Sequence, residues 1–347
     1  MGRTLTGFCF ATAMAASLIP AGTVFAADAG TIRYGIDDEQ NINRLPQFIA
    51  EKKGFFAREG VKVELVHFKS AFRTGPAQAN AANQQTVRQG MTSSAIDMAR
   101  QQLPLLIHDD LAGANYVGVA VTSNNPVYFL VGQPGLNSIA DFKGKTVSIT
   151  NLYDGITIWS QKLIANHGLK TGDVTWKSIA GSNARIRCLT SGECAAVTLD
   201  QPAIFEGLAA HGYVFGLTND IGPQLYQVDI AKPDWAASHR ELVGKYIRAT
   251  TAAMRYIMDP KNRYDTVDAV KELTGVPEAQ SREMLAYIWD PKNRVFQTSA
   301  PNMDNVKAVI GLLAEYGAVK QPLPAPERFV DPSFARDAGV SSTAPRE

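Results

Sequence analysis

The chain has 347 residues, 34 Lys and Arg against 33 Asp and Glu, and a hydrophobic content of 45%. That balance argues against a protein that grips nucleic acid or an anionic membrane through its overall field. The length is enough for two lobes, each with its own core.

Arg3 is the only charge before Asp28, and residues 8–19 are mostly apolar or small. Pro20 then precedes a small-residue exit in which Val24-Phe25-Ala26 is followed by Ala27. This is the pattern of a signal peptide cut after Ala26, with a buried N-terminal helix as the alternative. Its apolar core is too short for a permanent membrane span. Cys9 is followed by bulky Phe10 and does not look like a lipoprotein cysteine. Cleavage would remove one arginine and no acids, so the exported chain is evenly charged. No later apolar run approaches transmembrane length, so residues 27–347 are expected to be soluble.

Beyond Asp28 strand and helix patterns alternate, which predicts an α/β protein with mainly parallel sheets. Strands are expected at residues 31–36, 61–68, 95–98 and 116–122. A second set is expected at 127–132, 146–150, 174–180, 195–199 and 213–217. Ser-Asn-Asn-Pro at 123–126 separates the two sets. Within the first set, residues 51–68 read EKKGFFAREGVKVELVHF. Gly54 and Gly60 fall where helices stop, because glycine takes the left-handed turn cheaply. Phe55 and Phe56 supply a hydrophobic knot between them. Val61, Val63 and Leu65 then alternate with Lys62 and Glu64, the period of a strand. In the second set, residues 136–149 read LNSIADFKGKTVSI, a short helix capped by Ser138, stopped at Gly144 and followed by a strand. Gly144-Lys145-Thr146 is a decoy for a phosphate loop, since that motif needs glycine where Ile139 stands.

These two passages resemble the first and second lobes of the periplasmic solute-binding proteins of bacterial ABC importers. The resemblance is to the nitrate/sulfonate/taurine group, which includes relatives that bind pyrimidine precursors of thiamine. It implies a two-lobed periplasmic-binding-protein fold of type II with a hinge of two crossing segments. It also implies a protein that captures a small molecule, performs no chemistry on it, and needs no cofactor. On this reading residues 1–26 are the signal peptide, 27–122 and 226–322 form lobe one, and 123–225 form lobe two. The Pro-, Ala- and Ser-rich tail at 323–347 is expected to drape over the surface or fray.

From His239 onward the pattern is helical, with Leu242, Tyr246, Ala249, Ala253 and Ile257 at helical spacing. A last helix should start after Asn302, whose side chain can cap it. Asp-Pro-Lys-Asn-Arg occurs at 259–263 and again at 290–294, read as two similar helix-ending turns rather than a repeat architecture. Cys188 and Cys194 flank a glycine turn in RCLTSGEC. In an oxidising compartment this favours a disulfide. A metal site is disfavoured, because no histidine is near and two thiolates are too few ligands.

In open α/β sheets, ligands bind beyond the carboxyl ends of strands. That rule selects Asn41 and Arg44 after the first strand, then Ser70, Phe72, Arg73 and Thr74 after the second. It selects Arg100 and Gln101 after the third. In the second set it selects Asn151, Tyr153, Asp154 and Thr157, then Ser182 and Asn183, then Asp200 and Gln201. The guanidinium groups of Arg73 and Arg100 offer a planar donor fork to a carboxylate or sulfonate. A solvated arginine or an ion pair within the lobe is the alternative for each. Asp154 can cap the helix that follows it, while the free N–H groups there could receive an anion. Phe72 and Tyr153 could sandwich a ring, although such aromatics also serve plain packing. Asp200, followed by Gln201 and Pro202, could pair with an arginine across the cleft or accept from an amine or hydroxyl of the ligand.

Enzyme readings find little support. The five histidines are scattered, and no G-x-S-x-G elbow or zinc-protease motif is present. The cysteine-rich segment of the pyrimidine-synthesising relatives of this fold is absent as well. The expectation is therefore a monomeric periplasmic binding protein that closes on a small organic anion and hands it to a membrane permease. A neutral or amine-bearing heterocycle anchored by Asp200 is the alternative ligand. A sensor subunit for a membrane receptor is the alternative role.

Overall fold

The computed structural model describes residues 30–37, 40–68, 86–150, 154–209, 212–217, 221–222 and 224–342. It contains two five-stranded sheets. The first is built from β1 (Thr31–Ile36), β2 (Lys62–His67), β3 (Met98–Gln102), β4 (Val117–Ser123) and β10 (Gln227–Ala231), in the order β2-β1-β3-β10-β4. The second comprises β5 (Tyr128–Gly132), β6 (Thr146–Ile149), β7 (Thr175–Ser178), β8 (Ala196–Asp200) and β9 (Tyr213–Leu217), in the order β7-β6-β8-β5-β9.

Each sheet has one strand that runs against the others. β10 is antiparallel to β3 and β4, and β5 is antiparallel to β8 and β9. Both are the first strand laid down after the chain changes sheets. The remaining strands point their carboxyl ends toward the space between the sheets. A strand that enters from that space must therefore run the other way. The two crossings, at 124–127 and 218–226, thus fix both the strand order and the exceptions to parallel pairing.

The predicted strands fall close to their places, with one displacement. The third was expected at 95–98 and runs from Met98 to Gln102. Its last three residues, Arg100-Gln101-Gln102, carry no apolar alternation. They are extended because their backbone pairs residue by residue with β10, from Gln102 opposite Gln227 to Met98 opposite Ala231. The return crossing, expected near 226–230, is that same strand.

Local signals behave as their chemistry dictates. Gly54 and Gly60 both adopt φ of +68° and bracket the short helix Phe55–Glu59. Phe56 is buried and stacks on Tyr246, with ring centroids 5.5 Å apart. The helix Arg240–Met258 buries Leu242, Tyr246, Ala249, Ala253 and Ile257 against the first sheet. Asn302 caps the helix Met303–Glu315, its Oδ1 accepting from the N–H groups of Asp304 (3.0 Å) and Asn305 (3.4 Å). The two Asp-Pro-Lys-Asn-Arg turns are alike. Asp259 and Asp290 each accept from the lysine N–H two residues on, at 2.9 Å in both cases. Asn262 and Asn293 each donate back to a tyrosine carbonyl in the preceding helix, Tyr256 and Tyr287.

The tail beyond Pro322 drapes and is anchored. Phe329, Val330 and Phe334 are buried, and Gly118 of β4 donates to the Phe329 carbonyl at 2.8 Å. Cys188 and Cys194 form a disulfide, with Cα atoms 5.1 Å apart and Gly192 turning between them at φ +82°. Among the described residues no helix is long and apolar enough to cross a membrane.

Thiol labelling of the unreduced protein lacking residues 1–26 should find no free cysteine, and two reactive thiols would contradict the pairing. Replacing both cysteines with serine should lower stability by about 2 kcal/mol, the entropy of closing so short a loop, measured by denaturant titration.

Candidate functional site

A cavity of about 450 Å³ lies at the carboxyl ends of the strands. Asn41, Arg100, Gln101 and Gln102 line it from the first sheet. Thr150, Ser182, Arg185 and Asp200 line it from the second, and Tyr128 and Tyr226 stand beside the two crossings.

Arg100 is placed by the β3–β10 ladder near the open end of its strand. Its Nη1 is buried without a hydrogen-bond partner. A guanidinium N–H taken from water and left unbonded is costly, so this donor marks where a ligand acceptor belongs. Arg185 presents a different picture. It is buried as well, but Nε donates to the Thr198 carbonyl (2.7 Å), Nη1 to the Ile179 carbonyl (3.1 Å) and Nη2 to Ser182 Oγ (3.0 Å). Ser182 Oγ in turn donates to Asp200 Oδ1 at 2.9 Å. The second sheet therefore offers a fixed positive group and a carboxylate joined by one hydroxyl.

Between these groups stand two buried rings, Tyr128 and Tyr226, edge to face with centroids 6.1 Å apart. Trp159 packs on Tyr226 at 5.3 Å and donates from Nε1 to Gln224. Burial pushes both tyrosine hydroxyls well above their ordinary pKa. The negative fields of Asp200 and Asp154 add to this, while Arg185 opposes it at Tyr128 and Arg100 at Tyr226. Both phenols are therefore protonated donors at any physiological pH.

The helix Gly155–Asn166 begins at the cavity. Asp154 is its cap, with Oδ1 accepting from Thr157 N at 2.9 Å. The Gly155 N–H is taken by Gln102 Oε1 at 3.0 Å, a hydrogen bond from the helix start on the second sheet's side to the end of β3. Farther along the same helix Lys162 pairs with Glu315 at 2.8 Å. On the opposite flank Phe129 of β5 meets Tyr287 edge to face at 5.4 Å. The two sheets' units are thus in contact on both sides of the cavity.

Of the residues selected from sequence, Asn41, Arg100 and Asp200 line the cavity, as do Gln101, Asp154 and Ser182. Asn41 caps a short 3-10 helix, its Oδ1 accepting from Asn43 N and Nδ2 at 2.9 Å each. Four others are brought elsewhere. Thr157 is buried within its helix, where its backbone serves the Asp154 cap. Asn183 lies on the exposed side of the helix Ser182–Thr190, because one step along a helix turns a side chain by about 100° from Ser182. Gln201 is buried beside a cis bond to Pro202 and away from the lining. Arg44 is buried in its short helix rather than in the cavity wall. Ser70, Phe72, Arg73, Thr74, Asn151 and Tyr153 lie outside the described residues.

Sequence reasoning missed Gln102, Tyr128, Arg185 and Tyr226. Tyr128 opens β5 and Tyr226 immediately precedes β10, both at the start of a strand, so a rule about carboxyl ends passes over them. Arg185 falls three residues after Ser182 on the same helix face, a spacing that could have found it.

A family profile described as "NMT1/THI5 like" matches residues 41–263, well over half of the chain. The chain belongs to the NMT1/THI5-like family. The matched region holds every cavity residue named above. A search of curated protein sequences returns no match. Among solved structures, the fold of this family member is similar to a ligand-binding component of an ABC-type import system from Staphylococcus aureus. That protein is 15% identical with a TM-score of 0.71, over 90% of this chain and 99% of that one. It is also similar to the periplasmic nitrate-binding protein of Synechocystis (14% identity, TM-score 0.70, 89% and 88% coverage). A third similar structure is the alkanesulfonate-binding protein of Xanthomonas axonopodis bound to MOPS (15%, 0.66, 88% and 99%). The two-lobed periplasmic-binding-protein fold expected from sequence is thereby shown. Those three structures are of ligand-, nitrate- and alkanesulfonate-binding proteins. Among the described residues no group of three or more His, Cys, Asp or Glu side chains is placed to hold a metal ion.

Replacing Gln102 with alanine removes an inter-sheet hydrogen bond that costs nothing to the rest of either sheet. The unliganded protein should then sample more open forms, visible as an increased radius of gyration in small-angle X-ray scattering. An unchanged scattering profile would mean that Gln102 has no part in closure.

Proposed function

We propose that the protein is the solute-binding component of an ABC importer, exported by residues 1–26 to the periplasm. It captures an organic sulfonate or carboxylate in the cavity between its lobes and delivers it to a membrane permease as a monomer. The observation that carries this reading is the buried, unbonded Nη1 of Arg100 facing a cavity that spans both sheets. The volume of about 450 Å³ lies in the range of organic-ligand pockets, far beyond what a single inorganic ion fills. The Tyr128–Tyr226 pair suits an apolar or aromatic body on the ligand.

In this reading residues 27–122 and 226–322 form lobe one and 123–225 lobe two, with the crossings as hinge. The ligand touches Asn41 and Arg100 in lobe one and Asp200 in lobe two. Arg73, Ser70, Phe72, Thr74, Asn151 and Tyr153 complete the set on the sequence argument. Contacts from both lobes exist together only in the closed form, so binding shifts the open–closed population toward it. The permease then reads a surface made by both lobes. A second reading rests on Asp200 in the cavity wall: its carboxylate beside two tyrosine rings suits an amine-bearing heterocycle such as a pyrimidine.

Thermal melting against sulfonates, carboxylates, inorganic anions and pyrimidines tests the first reading against the second. A ligand at a hundred times its Kd adds about 2.7 kcal/mol of stability. Arg100→Ala should weaken a binding acid roughly 10- to 100-fold, the loss of a charge-assisted bond. Stabilisation by pyrimidines alone, lost in Asp200→Asn, would establish the second reading instead.

A further inference from the structure

Behind Arg100 lies a carboxylate that does not itself reach the cavity. Asp229 of β10 stands directly opposite Arg100 of β3 in the antiparallel ladder. Residues so paired project from the same face of a sheet with Cβ atoms about 5 Å apart. Asp229 is buried and absent from the cavity wall. The groups facing it are Tyr34 from β1, Thr122 from β4, Tyr246 from the helix Arg240–Met258, and Arg100. Its Oδ1 accepts from the Tyr34 hydroxyl and from Thr122 Oγ1 at 3.0 Å, and its Oδ2 from the Tyr246 hydroxyl at 3.1 Å. Gln47, from the helix Leu45–Lys52, bonds the same Tyr246 hydroxyl. Every partner other than Arg100 is neutral, so Arg100 is the counter-charge of this buried acid.

We infer that Asp229 is a specificity-determining residue of the proposed anion site, acting through Arg100, and that an anion binding at Arg100 is coupled to proton uptake by Asp229. The inference rests on the anion reading given above. An ionised Asp229 and a bound anion compete for one guanidinium and repel each other from its two sides. Protonation of Asp229 removes that repulsion and frees the whole charge of Arg100 for the ligand. Burial pushes the Asp229 carboxyl up to about 6, against the three hydroxyl bonds and the field of Arg100, which pull it down. A bound anion pushes it higher still. Affinity is therefore greatest below about pH 6. It falls as pH rises through the free-state value, and levels off above the value of the complex. At a separation of 7–8 Å and an effective dielectric constant near 20, the total change is on the order of tenfold or more.

Benzenesulfonate keeps a constant charge across this range and serves as the probe. Its Kd should be measured at pH 5 to 8 in amine buffers, which are not themselves acids of the tested class, with proton uptake followed in a pH-stat. The expected result is a Kd that rises at least tenfold with pH, and uptake of a fraction of a proton on binding near pH 6. In Asp229→Asn, checked for folding by its melting transition, Kd should be flat with pH and the uptake lost. A titration that persists in Asp229→Asn belongs to cavity acids such as Asp200 and overturns the inference. If the variant fails to fold, the wild-type pH-stat measurement decides: anion binding without proton uptake also overturns it. Both results leave the anion reading standing. If neither benzenesulfonate nor any other acid of the panel binds at any pH, the anion reading itself falls, and this inference with it.

Discussion

The ladder that holds β10 between β3 and β4 is the constraint on which the rest of the molecule depends. A strand entering a sheet from the cleft must run against its neighbours. Backbone bonds from Gln227–Ala231 to both flanking strands meet that demand. They also set the register that puts Asp229 opposite Arg100 and leaves Tyr226 at the mouth of the crossing. The polar end of β3 would have no reason to be extended without this partner. The position of Arg100, and with it the cavity floor, is thus a product of sheet topology more than of any local preference.

The same dependence explains what could be read from sequence. Strands flanked by glycines, such as Lys62–His67, carry their signal locally, and so do the Asn302 cap and the two Asp-Pro-Lys-Asn-Arg turns. Each is decided within a few residues by turn chemistry or side-chain periodicity. Met98–Gln102 is different. Its extension comes from β10, well over a hundred residues later in the chain, and nothing in Arg-Gln-Gln announces it. For the site, the rule about strand carboxyl ends selected Asn41, Arg100 and Asp200, which line the cavity. It could not choose among neighbours within a loop, because one residue along a helix changes which side faces the cavity. Asn183 and Ser182 are the clear instance. Tyr128 and Tyr226 escaped because they flank the crossings between the sheets, whose geometry exists only once both sheets are formed.

Of the three arginines that line the cavity among the described residues, Arg88 pairs with Asp109, and the other two show how burial separates a filled charge from an unfilled one. Arg185 is deep in its lobe, yet three of its N–H groups reach oxygens of its own lobe. Its role is complete without a ligand: it ties the helix Ser182–Thr190 to β8. Arg100 keeps a buried donor unbonded. Leaving such a group dry costs on the order of 1–3 kcal/mol or more, since it carries charge. On the proposed reading, that cost is removed when an acceptor arrives.

This asymmetry bears on how closure is linked to recognition. Gln102 and Gly155 bond across the cavity, Lys162 and Glu315 pair at its flank, and Phe129 meets Tyr287 on the other side. Of these only Lys162–Glu315 is an ion pair, and an exposed pair contributes little, typically below about 1 kcal/mol. On the proposed reading, an open form would expose the Arg100 guanidinium to water at the cost of these contacts and of the apolar packing of Ile158 and Leu312 between the units. A ligand that bonds Arg100 from below and the Ser182–Asp200 side from above reverses the balance, because it satisfies both lobes at once. A ligand that satisfies only one lobe gains nothing from closure. On the proposed reading discrimination lies in bridging the sheets, with the buried Nη1 of Arg100 as the donor a ligand would satisfy.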